Sequence, residues 1–221
     1  IVYILAKGIP HLTPSLFSIH YDSDNVSMLP SIINTLIMIG VALLIAVPVG
    51  VFSAVYLTEY AKKGNKLVKV IRTTAETLTG IPSIVYGFFG LVVMVPMIRE
   101  LGMTLKRAGI VKTAGDGNSM LTASILLGMM ILPTIIGVTE SAIRSVPNQY
   151  YEGALALGAT HERSIFAVVL PAAKSGVVAG IVLGIGRAIG ETMAVIMVAG
   201  NQARMPVTVS YTHLRAHETL A

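Results

Sequence analysis

Long uncharged runs dominate this chain and predict helices that span a membrane. Residues 31–57 contain no charged side chain, and the run exceeds the roughly 20 apolar residues that cross a hydrocarbon core. Two further uncharged runs, 78–98 and 117–139, have spanning length and are broken by proline. We therefore expect three membrane helices from these runs alone.

A fourth apolar stretch, 175–203, differs from the others because Arg187 and Glu191 lie inside it. Residues 1–10 resemble the end of a fifth membrane helix. The pattern predicts an all-α, polytopic transmembrane bundle, seen as a fragment with about four complete spans. We expect a transmembrane domain over 1–209 and a non-native or disordered tail over 210–221, where neither a helical nor a strand period organises the residues.

Composition agrees with a membrane protein and excludes several kinds of chemistry. Of the 221 residues 54% are hydrophobic and 12% are charged, whereas soluble domains carry about 25% charged residues. The net charge of +5 is too dilute to predict a nucleic-acid-binding face. Without cysteine, and with five scattered histidines, the chain offers no metal-ligand or redox pattern. We predict no catalytic residue, no metal and no cofactor.

Basic residues predict the orientation of the spans, because short cytoplasmic loops are rich in Lys and Arg. The segment before the first span offers Asp22 and Asp24, whereas the predicted loop 58–77 carries a basic cluster: Lys62, Lys63, Lys66, Lys69 and Arg72. We expect this loop in the cytoplasm. Alternation then places residues 140–174 in the cytoplasm as well, and 99–116 outside, although this outer loop also carries basic residues.

The predicted cytoplasmic loop 147–174 has the pattern of two short helices around a hinge. Residues 150–157 can form the first helix, and Gly158 suits the left-handed position that ends it. Thr160 can cap the second helix at its N-terminus, and Pro171 should stop or restart that helix at the membrane face. Such a helical hairpin is a plausible contact for a cytoplasmic partner.

The residues of this loop resemble a known signature. The order Glu152-Gly153-Ala154, Gly158 and Val168-Val169-Leu170-Pro171 is similar to the E-A-A, x3, G, x9, I-x-L-P pattern of membrane subunits of binding-protein-dependent ABC importers. The spacing matches in full, with Gly for Ala and Val for Ile at two positions. The resemblance implies that a cytoplasmic ATPase pair contacts this loop through Glu152, Gly153, Ala154, Gly158, Leu170 and Pro171.

Two further stretches resemble the paired permease subunits of phosphate importers. They are GIPSIVYGFFG at 80–90 and GRAIGETMAV at 186–195. The front of the chain is more similar to the A type of subunit and the back to the C type, so a chimera joined near IPSIVYG is one hypothesis. The resemblance implies a second permease subunit, an extracytoplasmic phosphate-binding protein, lipid contact and a multi-pass location in the bacterial inner membrane.

Arg187 and Glu191 are the candidate residues of a substrate path. A membrane arginine costs about 2.5–3.5 kcal/mol on insertion scales, and a helix would place Glu191 four residues on, within pairing distance. One interpretation is a structural bridge between packed helices. The other is a guanidinium that offers its planar fork to an oxyanion in an aqueous path, with Glu191 holding it. Gly176, Gly180 and Gly184 predict close helix packing beside them.

Other functions fit the same pattern in part. The loop would look the same in an importer of another oxyanion, such as sulfate or molybdate. A secondary transporter driven by an ion gradient would need no ATPase, and a membrane anchor or sensor would need no buried arginine. The sequence contains no G-x-x-x-x-G-K-[ST] pattern, so ATP hydrolysis is expected on a separate subunit.

Overall fold

All regular elements that the structure describes are helical. The structure is a computed structural model, and it describes residues 2–9, 28–61, 66–109, 117 and 119–200. Within these ranges three helices are long and apolar enough to cross a membrane, and a helix pair bent by 65° passes the same test as a unit. The predicted all-α bundle with about four spans is confirmed. The predicted tail 210–221 lies outside the described residues.

The spans are assembled from α-helices and short π-helical turns. The first is α2, Leu29–Val55, with the turn π1, Tyr56–Tyr60. The second joins three consecutive elements: α4, Ser83–Phe89; π2, Gly90–Met94; and α5, Val95–Arg107. The third is α6, Met120–Arg144. The short helix α1, Val2–Gly8, occupies the stretch that we predicted to be the end of a membrane helix.

Residues 58–77, predicted as a loop, contain a helix that belongs to the bundle. This helix, α3, spans Lys66–Gly80 and lies along α6. The Arg72 guanidinium donates to the Glu140 carboxylate at 2.5 Å, and Glu140 also accepts a bond of 3.1 Å from Nε of Arg144. The segment lies between the first two spans, as predicted; the sequence analysis missed that it is largely helical and paired with α6 through Arg72.

Proline sets the beginning of the second span. The sequence predicted a span over 78–98, but the helix ends at Gly80 and a new one begins at Ser83. Pro82 lies at the N-cap with φ −58° and ψ 141°. Proline has no N–H to donate and disfavours helical backbone in the residue before it. The two helices α3 and α4 therefore meet at a break.

Helix α6 is the centre of the bundle. Ile131 and Ile135 are completely buried, with α2 packed on one side and α10, Lys174–Gly190, on the other. A Cβ atom at Gly176 would overlap the Cβ of Ala142 in α6, and one at Gly180 would lie 3.2 Å from the Cβ of Val138. The predicted small-residue face of α10 is confirmed as a packing surface.

The fourth predicted span, 175–203, is interrupted. After α10 ends at Gly190, the separate helix α11 runs over Met193–Ala199. Helix α11 packs against α4 and α6. A Cβ atom at Gly90 in π2 would lie 2.6 Å from a side-chain carbon of Val198. The predicted continuous span is wrong: α10 passes the length and hydropathy test only together with the helical segment His161–Ala172 before it, and α11 is a separate helix.

The glycine face of α10 yields a matched pair of variants. Gly176→Ala should lower the free energy of unfolding by about 1–3 kcal/mol, because the added methyl group overpacks the contact with Ala142. Gly186→Ala is the control, since a Cβ there meets no atom within 4 Å and alanine favours helix. Thermal unfolding in detergent measures both. Equal midpoints for the two variants would contradict the packing assignment.

Candidate functional site

The predicted hinge in the 147–174 loop is present. Helix α7 spans Asn148–Ala156, and Gly158 follows with φ +84°. The Gly158 N–H donates to the Leu155 carbonyl at 2.9 Å and the Ala159 N–H to the Ala154 carbonyl at 3.1 Å. This pair of bonds is the Schellman ending of a helix, which needs the left-handed residue that glycine provides. The turn is therefore specified locally.

The second arm of the hairpin begins at its predicted cap. The Thr160 hydroxyl accepts from the Arg163 N–H at 3.4 Å, which is the N-cap arrangement. The arm consists of α8, His161–Ser164; the π-helical turn π3, Ile165–Val169; and α9, Leu170–Ala172. The chain then bends by 65° into α10. The bend falls at Ala173, two residues after the proline at which the sequence predicted it.

Several signature residues lie on the exposed surface of the hairpin. Glu152, Gly153 and Gly158 are exposed, whereas Ala154 is buried against the second arm. A Cβ at Gly153 would meet nothing within 4 Å. The alanine of the family pattern would therefore fit at this position without a shift, and the departure from the pattern leaves the surface intact.

Two exposed apolar residues of this hairpin were missed in the sequence analysis. Leu157 is 91% exposed and Tyr150 is 54% exposed. Tyr150 lies in the first turn of α7 and Leu157 at its C-cap, so both ends of the first arm expose an apolar side chain.

One apolar cluster fastens the hairpin to the bundle. Ile165 and Val169 of π3, together with Ala173, are buried against Leu57 of π1 and Ile143 of α6. Helix α3 reaches the same cluster through Val68. The segment after the first span and the hairpin thus lie at the same end of the bundle, as the orientation analysis expected of two segments on one side of the membrane.

A histidine links three parts of this region. The Tyr151 hydroxyl of α7 and Nδ1 of His161 lie 2.7 Å apart, within hydrogen-bond distance. The Tyr60 ring of π1 meets the His161 ring edge to face, with centroids 5.3 Å apart. No spacing along the chain connects residue 60 with residue 161, so the sequence could not have predicted this contact.

Arg187 and Glu191 lie on either side of the helix break, which overturns the predicted pairing. Helix α10 ends at Gly190, and Glu191 has extended backbone, φ −83° and ψ 116°. Its carboxylate accepts instead from the Ala194 N–H at 3.2 Å. Within the described ranges the ion pairs join Glu140 to two arginines, and the predicted Arg187–Glu191 bridge is absent. The i,i+4 argument failed because it assumed a continuous helix.

The break explains how two charges are held in an apolar stretch. Arg187 lies in the last turn of α10, where the partial negative charge of the helix end favours a cation. Glu191 lies before α11 and accepts from a backbone N–H that would otherwise have no helical partner. Arg187 is partly buried and lies within electrostatic range of the Tyr86 phenol. The guanidinium is therefore placed beside the break without a carboxylate bound to it among the described ion pairs.

A cavity of about 410 Å³ with charged side chains in its lining lies between α3 and α6. Its charged lining residues are Arg72, Glu76, Glu140 and Arg144. The sequence analysis did not assign these residues to the substrate path. The structure shows that Glu140 holds both arginines, so the charges of this cavity serve first to dock α3 onto α6.

Known permeases are similar to this chain over most of its length. A probable ABC transporter permease protein of Bacillus subtilis, YqgH, is 41% identical over 84% of the chain and 56% of the relative. A phosphate transport system permease protein PstC of Pasteurella multocida is 40% identical over 79% and 57%. PstC 2 of Mycobacterium bovis is 34% identical over 92% and 67%. The chain thus spans 56% to 67% of the length of these relatives.

The C-type resemblance is not confined to the back of the chain. An alignment that covers 92% of the residues includes both sides of the IPSIVYG stretch, so a chimera is not needed to explain it. The family described as binding-protein-dependent transport system inner membrane component matches residues 46–216. This range begins inside the first span and contains the second and third spans, the hairpin and the helix break. The chain belongs to the family of binding-protein-dependent transport system inner membrane components.

Proposed function

We propose that this chain is the permease subunit of an ATP-driven phosphate importer, in which it forms part of the translocation path and receives movement from a separate ATPase. The exposed hairpin with the family signature at its tip carries this proposal. Two relatives of the chain are described as phosphate transport permeases, which supports phosphate as the substrate.

The hairpin has the properties of a mechanical contact. Glu152, Leu157 and Tyr150 are all exposed on this hairpin. An apolar anchor surrounded by polar groups is the usual core of a protein interface. The hairpin is continuous with α6 on one side and with α10 on the other, so a partner that displaces the tip also tilts two membrane helices.

The broken helix provides a place for an oxyanion. Arg187 lies about 20 Å along α10 from its beginning at Lys174, at 1.5 Å per residue, a distance that is shorter than a hydrocarbon core of about 30 Å. A permanently charged guanidinium presents a planar fork of donors that matches the geometry of phosphate oxygens. Interrupted membrane helices are tolerated where they line a cavity or a path.

The complete importer would contain further subunits. We infer a second permease beside this one, a pair of cytoplasmic ATP-binding subunits on the hairpins and a phosphate-binding protein outside, all in or at the bacterial inner membrane. The family description supports a binding-protein-dependent system. Because Glu140 holds Arg72 and Arg144, Arg187 is the arginine that we assign to the substrate.

Variants of the hairpin tip test the coupling role. Glu152→Lys reverses a charge at the proposed ATPase contact, and Gly158→Asp places a side chain in left-handed backbone, at a cost of about 1–2 kcal/mol. Both should abolish phosphate uptake in a cell that depends on this importer, with normal amounts of permease in the membrane. Uptake of radiolabelled phosphate and immunodetection measure the two quantities.

Gly153→Ala is the matched control for these variants, since its added methyl group meets no atom. It should leave uptake unchanged. Normal uptake by both Glu152→Lys and Gly158→Asp would overturn the coupling role.

The role of Arg187 in the path yields a separate prediction. Arg187→Gln should lower phosphate uptake roughly tenfold or more, the effect of one lost charge-assisted hydrogen bond. Arg187→Lys keeps the positive charge but lacks the planar fork of donors, so its uptake should lie between that of the unchanged protein and that of Arg187→Gln. Arg99→Gln, in the segment predicted to lie outside, is the control.

Competition with unlabelled sulfate and molybdate in the same assay identifies the substrate. Phosphate alone should compete. Competition by sulfate at the same concentration would contradict the proposed specificity for phosphate. Unchanged uptake in Arg187→Gln would show that this residue does not belong to the substrate path.

A further inference from the structure

The contact between His161, Tyr151 and Tyr60 joins the hairpin to a span with which it has no short covalent connection. The hairpin continues directly into α6 and α10, whereas α2 and π1 are separated from it along the chain by more than one helix. Movement of the hairpin reaches α2 only through side-chain contacts. Beside the packing of α2 on α6, the contacts at this place are the direct link between the hairpin and the first span.

Two kinds of contact are available there. The apolar cluster around Leu57, Ile165 and Val169 is buried but non-directional, so its members can slide without losing much contact. The 2.7 Å bond between the Tyr151 hydroxyl and Nδ1 of His161 is directional. It fixes the position of the imidazole between the two arms of the hairpin.

The same imidazole meets the Tyr60 ring edge to face at 5.3 Å and the Tyr151 ring at 5.7 Å. Edge-to-face pairs at such distances are attractive beyond the area that they bury. Tyr60 is the last residue of π1, at the end of the first span. His161 is the first residue of α8, directly after the Thr160 cap. The ring therefore lies where the hinge, the second arm and the first span meet.

We propose that His161 is a positioning residue that couples the hairpin to the first span. Tyr151 holds the imidazole, and the imidazole holds Tyr60, so that α2 moves with the hairpin as one body. This inference rests on the proposed function for its consequence in transport, but the contact itself can be tested without transport.

The first measurement compares transport with ATP hydrolysis in the reconstituted importer. His161→Ala should retain ATPase binding and hydrolysis, while the phosphate moved per ATP falls by about fivefold, the factor that corresponds to one lost hydrogen bond. His161→Gln, whose amide can still accept from Tyr151, should restore part of the ratio.

Variants of Tyr151 and Tyr60 separate the effect of the hydrogen bond from the effect of the ring contact. Tyr151→Phe removes the hydroxyl and should lower the ratio, whereas Tyr60→Phe keeps the ring that contacts His161 and should behave as the unchanged protein. Tyr60→Leu removes the ring and should again lower the ratio. An unchanged ratio in both His161→Ala and Tyr60→Leu would overturn the proposal.

A distance measurement distinguishes failure of this contact from failure of the proposed function. Because the chain contains no cysteine, spin labels can be placed through Ser53→Cys in α2 and Arg163→Cys at an exposed position of the second arm. The distance distribution should be narrow in the otherwise unchanged protein and broad with His161→Ala. Equal widths of the distributions with and without His161→Ala would refute the contact, even if phosphate is transported. A distribution that His161→Ala broadens, in a complex that moves no phosphate, would support the contact and refute the importer.

Discussion

The apolar cluster at one end of the bundle is the interaction on which the account depends. Ile165 and Val169 come from the hairpin, Leu57 from the end of the first span and Ile143 from the central helix. All four are almost completely removed from solvent, and together they convert an exposed loop into a body attached to three helices. This burial adds a packed connection between the hairpin and the bundle to the covalent ones through α6 and α10. The hydrogen bond of His161 adds direction to a contact that burial alone leaves free to slide.

A second constraint comes from the hydrocarbon core, which provides no partners for backbone N–H and C=O groups. The chain satisfies it with helices, and the departures from regular helix are informative for that reason. Pro82 separates α3 from α4, and the interruption after Gly190 separates α10 from α11. At the second of these breaks the structure places Arg187 and Glu191, each where the dipole of its helix end stabilises its charge. The charged stretch is thus compatible with a membrane location without a salt bridge.

Local signals in the sequence were reliable, and signals that required knowledge of neighbours were not. Gly158 and Thr160 act within a few residues, so the hinge and the cap could be predicted and are confirmed. The uncharged runs similarly predicted the spans. By contrast, the helix α3 was missed in the basic segment 58–77, where the partner of Arg72, Glu140, lies on another helix. The Arg187–Glu191 pair was expected because the residues near Gly190 gave no sign that α10 ends there. The contact of Tyr60 with His161 joins distant parts of the chain and leaves no trace in the pattern.

The central claim is that the hairpin tip lies in the cytoplasm and touches an ATP-hydrolysing subunit. The absence of native cysteine makes Leu157→Cys a unique target for labelling. In sealed cells a membrane-impermeant maleimide should leave this residue unmodified. In inside-out vesicles it should react rapidly, and binding of the ATPase subunit should protect it. Rapid labelling from outside intact cells, or labelling in vesicles that the ATPase does not alter, would contradict the account.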